Sequence, residues 1–312
     1  MKIYHDINDF HVEKPILTIG SFDGVHLGHL EVISRLNEIA KQKNGESVIF
    51  TFYPHPRLVL FPDEGNLRLL TTLHEKIRLF EKAGIDHLVI YPFTKEFSQL
   101  NYTDFVREIL VEKLNINSLV VGYDHKFGKN REGSFDMLLS LSKEFNFELE
   151  KLDVLLIDNT NISSSKIRES LQNGNVARAN SYLGYPYTLH GTVIEGQKLG
   201  RKIQFPTANI LASDPHKLIP GYGVYAVFVL VGGKCYEGML NIGTRPTVNS
   251  NADHRSIEVH ILNFDGDLYH KEIELEFISK IRDEKKFASI DDLRVQLEED
   301  KQTVLNHLSR KD

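Results

Sequence analysis

Residues 16–41, ILTIGSFDGVHLGHLEVISRLNEIAK, run from an apolar strand pattern through a glycine-bearing turn into an amphipathic helix. The strand pattern covers Ile16 to Gly20, the turn GSFDGVHLGH covers Gly20 to His29, and the helix pattern runs from His29 to Lys41. Such a turn gathers free backbone N–H groups and the positive end of a helix at one point, a natural seat for phosphate. His26 and His29 aim two further donors at it. The arrangement suits a nucleotide whose α-phosphate is under attack.

Outward from this turn, the first half of the chain alternates strand and helix. SVIFTFY (47–53), DHLVIY (86–91) and SLVVGY (118–123) are near-continuous apolar runs with β-branched residues, as in strands buried on both faces of a parallel sheet. Between them, TTLHEKIRLFEKAG (71–84) and YTDFVREILVEKLN (102–115) carry apolar residues at helical spacing, with Gly84 as a C-terminal stop and Thr103 as a candidate N-cap. This alternation predicts an α/β, doubly wound, Rossmann-like sheet that binds ligands beyond the carboxyl ends of its strands. The turn, the YPHP after the second run and the GYDHKFG after a later one all fall at that edge.

The pattern changes after about Tyr185. TLHGTVI, GVYAVFVLVGGKCYEGMLNIG and SIEVHILNFDGDLYHKEIELEFI alternate like strands, with Gly232-Gly233 and Asp265-Gly266 expected as hairpin turns. SIDDLRVQLEEDKQTVLNHL then reads as a helix, so an antiparallel β-barrel closed by a C-terminal helix is predicted. ISSSKIRESLQNGNVARANSYLG (162–184) reads as helices broken at Asn173-Gly174. The expected domains are 1–185 and 186–312.

With 312 residues, 41% hydrophobic and 26% charged, the chain has the composition of a soluble two-domain protein. A net charge of −6 provides no basic field for a nucleic-acid backbone. The one cysteine, Cys235, excludes an internal disulfide and a thiolate cage, and its strand pattern predicts a place in a core. No signal-like stretch or long apolar run occurs, so a cytoplasmic location with no membrane partner is expected.

Alone, two histidines in H-x-G-H could ligate a metal or lie idle on the surface, but no neighbouring cysteine or Glu-His cluster completes a metal set. GSFDGVHLGH resembles the nucleotidyltransferase signature of the bacterial flavin adenylyltransferases. TFYPHP (51–56), VGYDHKFG (121–128) and ISSSKIR (162–168) resemble the companion motifs in the same order. Over nearly its whole length the chain is similar to the bifunctional riboflavin kinase/FAD synthetase family. The resemblance implies that His26 and His29 donate to ATP phosphates, with Gly20, Ser21, Phe22, Asp23, Gly24 and Gly28 forming the ATP-binding turn. It places His55 near the phosphates or the incoming FMN, and Asp124 at the nucleotide sugar or base. Ser163, Ser164 and Arg168 would close over the β- and γ-phosphates, and either serine could equally be a helix cap. Ser165 and Lys166 stand where threonine and arginine are common in the family, and His125 stands in place of a usual aromatic.

The second half carries FPTANI (205–210) after the glycine-containing, cation-rich GTVIEGQKLGRKIQ (191–204). No Walker A loop occurs. PTAN is short enough to be a plain turn into a strand. Here it resembles the riboflavin kinase signature, and NIGTRPT (241–247) and SIEVHILNF (256–264) fit the same module. By that resemblance Thr207 and Asn209 hold Mg²⁺, and Glu258 is the general base for the ribityl 5′-hydroxyl. Gly196, Lys198 and Gly200 form a lid over ATP beside Pro206, and Arg282 contacts the flavin. Glu258 could otherwise be a solvated strand residue and Arg282 a surface ion pair. Gln204 stands where the family usually has glycine.

The expected function is that of an ATP-dependent, Mg²⁺-using transferase converting riboflavin to FMN and FMN to FAD. The alternative is a chain with one working half, the other serving as scaffold or flavin-binding regulatory domain. An acceptor such as phosphopantetheine would explain H-x-G-H but not the PTAN barrel. Weak self-association is compatible with the sequence.

Overall fold

The computed structural model describes residues 1–62, 67–122, 128–129, 132–153, 156–157, 160–196, 200, 203–244 and 255–309. They form two compact units, Met1–Ser163 and Ser164–Asp312. By packing, the helices that follow Ser163 therefore group with the second unit, ahead of the 185/186 boundary expected from the sequence.

The first unit is built on a six-stranded, all-parallel sheet in the order β1-β4-β3-β2-β5-β6. Its strands are β1 (Lys2–Tyr4), β2 (Pro15–Ile19), β3 (Glu46–Tyr53), β4 (His87–Pro92), β5 (Ser118–Val121) and β6 (Glu148–Lys151). Successive strand side chains point to opposite faces. Leu17, Ile19, Val48, Phe50, Val89, Leu119 and Val121 join one core, while Ile16, Ile49, Leu88, Ile90 and Val120 join the other. That division is why these strands read as unbroken apolar runs. Helices α1 (Leu27–Lys43), α2 (Pro56–Leu60) and α3 (Leu73–Lys82) follow β2 and β3. Helix α1 brings Ile33, Leu36 and Ile39, and α3 brings Phe80, to one face. The opposite face is covered by Phe105, Val106, Ile109 and Leu110, and by Leu138 and Leu141 of α5 (Phe135–Glu144). Each fully buried aliphatic or aromatic side chain contributes about 1.5–3 kcal/mol.

Helix boundaries differ from the sequence expectation in two places. Helix α1 begins at Leu27, because His26 itself is the N-cap and accepts from the backbone N–H of His29. In the 102–115 segment the N-cap is Asn101, which accepts from the Asp104 N–H, and not Thr103. One turn of α4 (Tyr102–Asp104) then widens into a π-helix over Phe105–Lys113. Thr72 and Glu75 form the reciprocal capping box of α3, and Gly84 ends it with φ +74°.

A short ribbon, β7 (Leu156–Ile157) and β8 (Thr160–Asn161), precedes the second unit. That unit opens with α6 (Ser164–Gln172) and α7 (Val176–Leu183), broken at Gly174 with φ +74°. A closed barrel follows, with ring order β10-β13-β12-β11-β14-β9 and every pairing antiparallel. Its strands are β9 (Tyr187–Ile194), β10 (Ala208–Ala212), β11 (Gly223–Val231), β12 (Lys234–Thr244), β13 (Arg255–Ile261) and β14 (Glu272–Arg282). Helix α8 (Ile290–Leu308) seats Val304 and Leu308 against Val224, Ala226 and Met239.

Gly232 and Gly233 turn the β11–β12 hairpin with φ +57° and +77°, as their sequence predicts. Asp265-Gly266 is not a hairpin. β13 pairs with β10 and β12, and β14 pairs with β11 and β9, so this segment carries the chain to a different part of the ring. Cys235 is exposed beside the β11–β12 turn, and not packed in the core. Among the described residues no helix is long and apolar enough to cross a membrane.

Candidate active sites

The first site lies where β2 meets α1. Gly20 donates its N–H to the Phe50 carbonyl and accepts from the Thr51 hydroxyl, which fixes the end of the strand. The next residues turn tightly: Phe22, Gly24 and Val25 have φ of +48°, +90° and +35°. A β-branched residue in the left-handed region is strained, and strain of this kind costs on the order of 1–3 kcal/mol per residue. It persists because neighbours over-determine it. The Phe22 ring meets His29 and Phe80 edge-on at 5.1 and 5.6 Å. The Asp23 carboxylate, 2% exposed, accepts from the N–H groups of Leu70 and Thr71, and Gly24 N–H donates to the Thr71 hydroxyl.

The two histidines converge. Their rings stack with centroids 3.6 Å apart and planes 13° from parallel. His29 Nδ1 is enclosed and has no hydrogen-bond partner. Burial, then the neighbouring His26 and Lys76, hold the His29 imidazole well below its usual pKa, so it is neutral at pH 7. A Cβ at Gly28 would make only ordinary contact with the His26 ring, so internal packing does not demand that glycine. His55 caps α2 by accepting from the Arg57 N–H at 3.2 Å. Ser163 ends the first unit, and Ser164 and Arg168 lie on α6 at the start of the second. Asp124 lies outside the described residues.

In the barrel unit, the Thr207 hydroxyl donates to Glu258 Oε2 at 3.2 Å. Asn209 on β10 stands directly across from Glu258 on β13, and Asn241 on β12 stands across from it on the other side. Thr207, just before β10, Asn209 on β10 and Glu258 on β13 thus form one polar cluster. A Cβ at Gly196 would collide with the Asn209 amide, and one at Gly200 with the Phe205 carbonyl. Gly200 is therefore required by its close approach to backbone, whereas a side chain at Gly196 would have to displace the Asn209 amide. Pro206 is held by the ring of His260, whose Nδ1 lies 2.8 Å from its carbonyl. Gln204 has φ +64°, a conformation for which glycine is the unstrained choice. Arg282, at the end of β14, is forked onto the buried carboxylate of Asp300 at 2.8–3.0 Å. Lys198 lies outside the described residues.

Known proteins match over both units. The family model described as FAD synthetase covers residues 10–166, and that described as riboflavin kinase covers 183–308. Relatives named bifunctional riboflavin kinase/FMN adenylyltransferase come from Haemophilus influenzae, 41% identical over 92% of both chains, and Bacillus subtilis, 36% identical over 99% of both. The chain belongs to the bifunctional riboflavin kinase/FMN adenylyltransferase family. A solved Streptococcus pneumoniae structure, described as a macrolide-efflux protein, shares the fold at TM-score 0.88 and 28% identity, covering 97% of this chain and 98% of that one.

Within this riboflavin kinase/FMN adenylyltransferase chain, the structure also supplies residues that sequence reading did not single out. Lys76 of α3, 6% exposed, donates from Nζ to the Ser21 carbonyl at 2.7 Å. Thr71 anchors the Gly20–Gly24 turn, Asn241 stands across from Glu258, and His260 lies two residues along its strand. His260 had a signal, since it lies two residues from Glu258 on one strand face. Lys76 had none, because EKIRLF reads as an ordinary amphipathic helix.

Proposed function

We infer that the chain phosphorylates riboflavin to FMN with ATP and adenylylates FMN to FAD with release of pyrophosphate. The observation that carries this is that each half gathers its own reactive set: His26 stacked on His29 at the start of α1, and Thr207 bonded to Glu258 beside Asn209. We assign adenylyl transfer to 1–185 and the kinase to 186–312, working in the cytoplasm.

In adenylyl transfer, an FMN phosphate oxygen attacks the α-phosphorus of ATP in line while the bond to the β-phosphate oxygen breaks. No protein nucleophile is needed. The Gly20 and Gly24 N–H groups are spent on Phe50 and Thr71, so the N-terminus of α1 and the histidine donors offset the charge that grows on the transferring group. Ser163, Ser164 and Arg168 would hold the departing pyrophosphate, with His55 and Asp124 beside the nucleotide or FMN. In the kinase, the ribityl 5′-hydroxyl attacks the γ-phosphorus, Glu258 takes its proton and ADP leaves. Thr207 and Asn209 offer a hydroxyl and an amide oxygen, hard donors that would hold Mg²⁺, whose charge would offset that of the ATP phosphates. Gly196, Lys198, Gly200 and Pro206 would close over the ATP, and Arg282 would face the flavin.

Two variants test the division of labour. His29→Ala should lower FAD formation from FMN about a hundredfold or more while sparing FMN formation. Glu258→Gln should lower FMN formation by a similar factor while sparing FAD formation from supplied FMN. Chromatography of the flavins reads both, and loss of both activities in a folded single variant would refute the assignment.

A further inference from the structure

We propose that Lys76 is a positioning residue for adenylyl transfer: its ammonium, seated beneath the Gly20–Gly24 turn, fixes Ser21 and keeps a positive charge beside His29. The proposal rests on assigning that turn to FMN adenylylation.

Lys76 leaves solvent almost completely, at 6% exposure, and its Nζ donates to the Ser21 carbonyl at 2.7 Å. That carbonyl belongs to the residue just before the left-handed Phe22. The same turn is tied to the start of α3 from the other direction, by Asp23 on Leu70 and Thr71 and by Gly24 on the Thr71 hydroxyl. Two opposite charges, Lys76 on the helix and Asp23 on the turn, therefore cross the same joint. Their attraction favours the charged ammonium, while burial opposes it more strongly and brings the Lys76 pKa down to about 8. A strut needed only for packing would be better apolar, because an enclosed ammonium loses its hydration. A fixed positive charge under a polyphosphate cradle is instead what adenylyl transfer uses.

Because Lys76 is enclosed and engaged with Ser21, it acts through the turn and through His29. The titratable groups that bear on His29 are His26, stacked on its ring, and Lys76 from α3; Asp23 bears on Lys76. Both neighbours of His29 oppose its protonation. A neutral His29 keeps one ring N–H as donor and leaves the second ring nitrogen unprotonated.

The test uses the full-length chain and needs no nucleotide for its decisive part. Histidine ring resonances, assigned through His29→Ala, are followed against pH in the native chain, Lys76→Met and Lys76→Arg. In Lys76→Met the His29 midpoint should rise, while burial and His26 still hold it below the ordinary imidazole value, and in Lys76→Arg it should stay near the native one. FAD formation should fall about tenfold or more in Lys76→Met, chiefly in kcat, be largely recovered in Lys76→Arg, and leave FMN formation unchanged. An unmoved His29 midpoint in Lys76→Met would overturn the proposal, as would full FAD formation by that variant. If Lys76→Met does not fold, Lys76→Arg decides: retained midpoint and activity support the proposal, and a tenfold loss of activity with the midpoint unmoved overturns it. Failure of the adenylylation assignment shows separately, as undiminished FAD formation in His29→Ala.

Discussion

Lys76 sits inside the fold against the pull of its own solvation. The folded chain releases the Lys76 proton near pH 8, whereas the unfolded chain holds it to about 10.5. Between those values the unfolded state carries more protons, so stability rises with pH across that window and the cost of burial is fully present below it. Lys76→Met should therefore stabilise the first unit at pH 7 by about 1–2 kcal/mol, with the gain shrinking as pH rises from about 8 toward 10.5. Urea unfolding at pH 7 and pH 10 checks this, and a variant less stable at pH 7 would contradict it. A residue that weakens the fold yet supports the reaction is typical of a site in which stability and activity compete. At this scale the histidines were legible from H-x-G-H and its neighbours. Lys76 was not, because its burial depends on a turn more than fifty residues earlier. The glycine expected at position 204 is explained by the +64° φ that Gln204 adopts there.

Helix α8 shows what an element adds. Its Asp300, 2% exposed, accepts a forked pair of bonds from Arg282 on β14, and Gln296 donates to the same carboxylate. The Arg282 side chain keeps 21% of its surface exposed, so it can turn to water if its partner is lost. Asp300→Ala should accordingly cost about 1–3 kcal/mol rather than the full penalty of a stranded buried charge. It should also raise the KM for riboflavin while leaving FAD formation from FMN intact, because it frees the guanidinium assigned to the flavin. Steady-state kinetics with each flavin measures both. Strands β2 to β5 were readable because apolar runs with β-branched residues leave little alternative. The π-helix over Phe105–Lys113 was hidden, since its apolar positions satisfy ordinary helical spacing equally well. The Asp265-Gly266 error has a related cause. A turn dipeptide signals a change of direction and says nothing of which strand receives the chain.

The molecule as a whole is two compact units, and the two activities are assigned to separate polar clusters, His26 with His29 in the first and Thr207 with Glu258 in the second. Equal amounts of His29→Ala and Glu258→Gln, mixed with riboflavin, ATP and Mg²⁺, should therefore produce FAD after a lag in which FMN builds up. Time-resolved chromatography would show it, and FMN accumulating with no FAD would mean that the two activities cannot be separated. Sequence alone determined the α/β-then-barrel order, the glycine-bearing turn between β2 and α1, and most of the polar residues to which chemistry is assigned. These depend on local periodicity and on short motifs whose backbone demands are written in neighbouring residues. Only the tertiary structure decided that His26 stacks on His29, that Lys76 is buried under Ser21, that Cys235 faces solvent, and that Glu258 stands between Asn209 and Asn241. Burial and cross-strand register are set by chain segments far apart in sequence, so no local pattern encodes them.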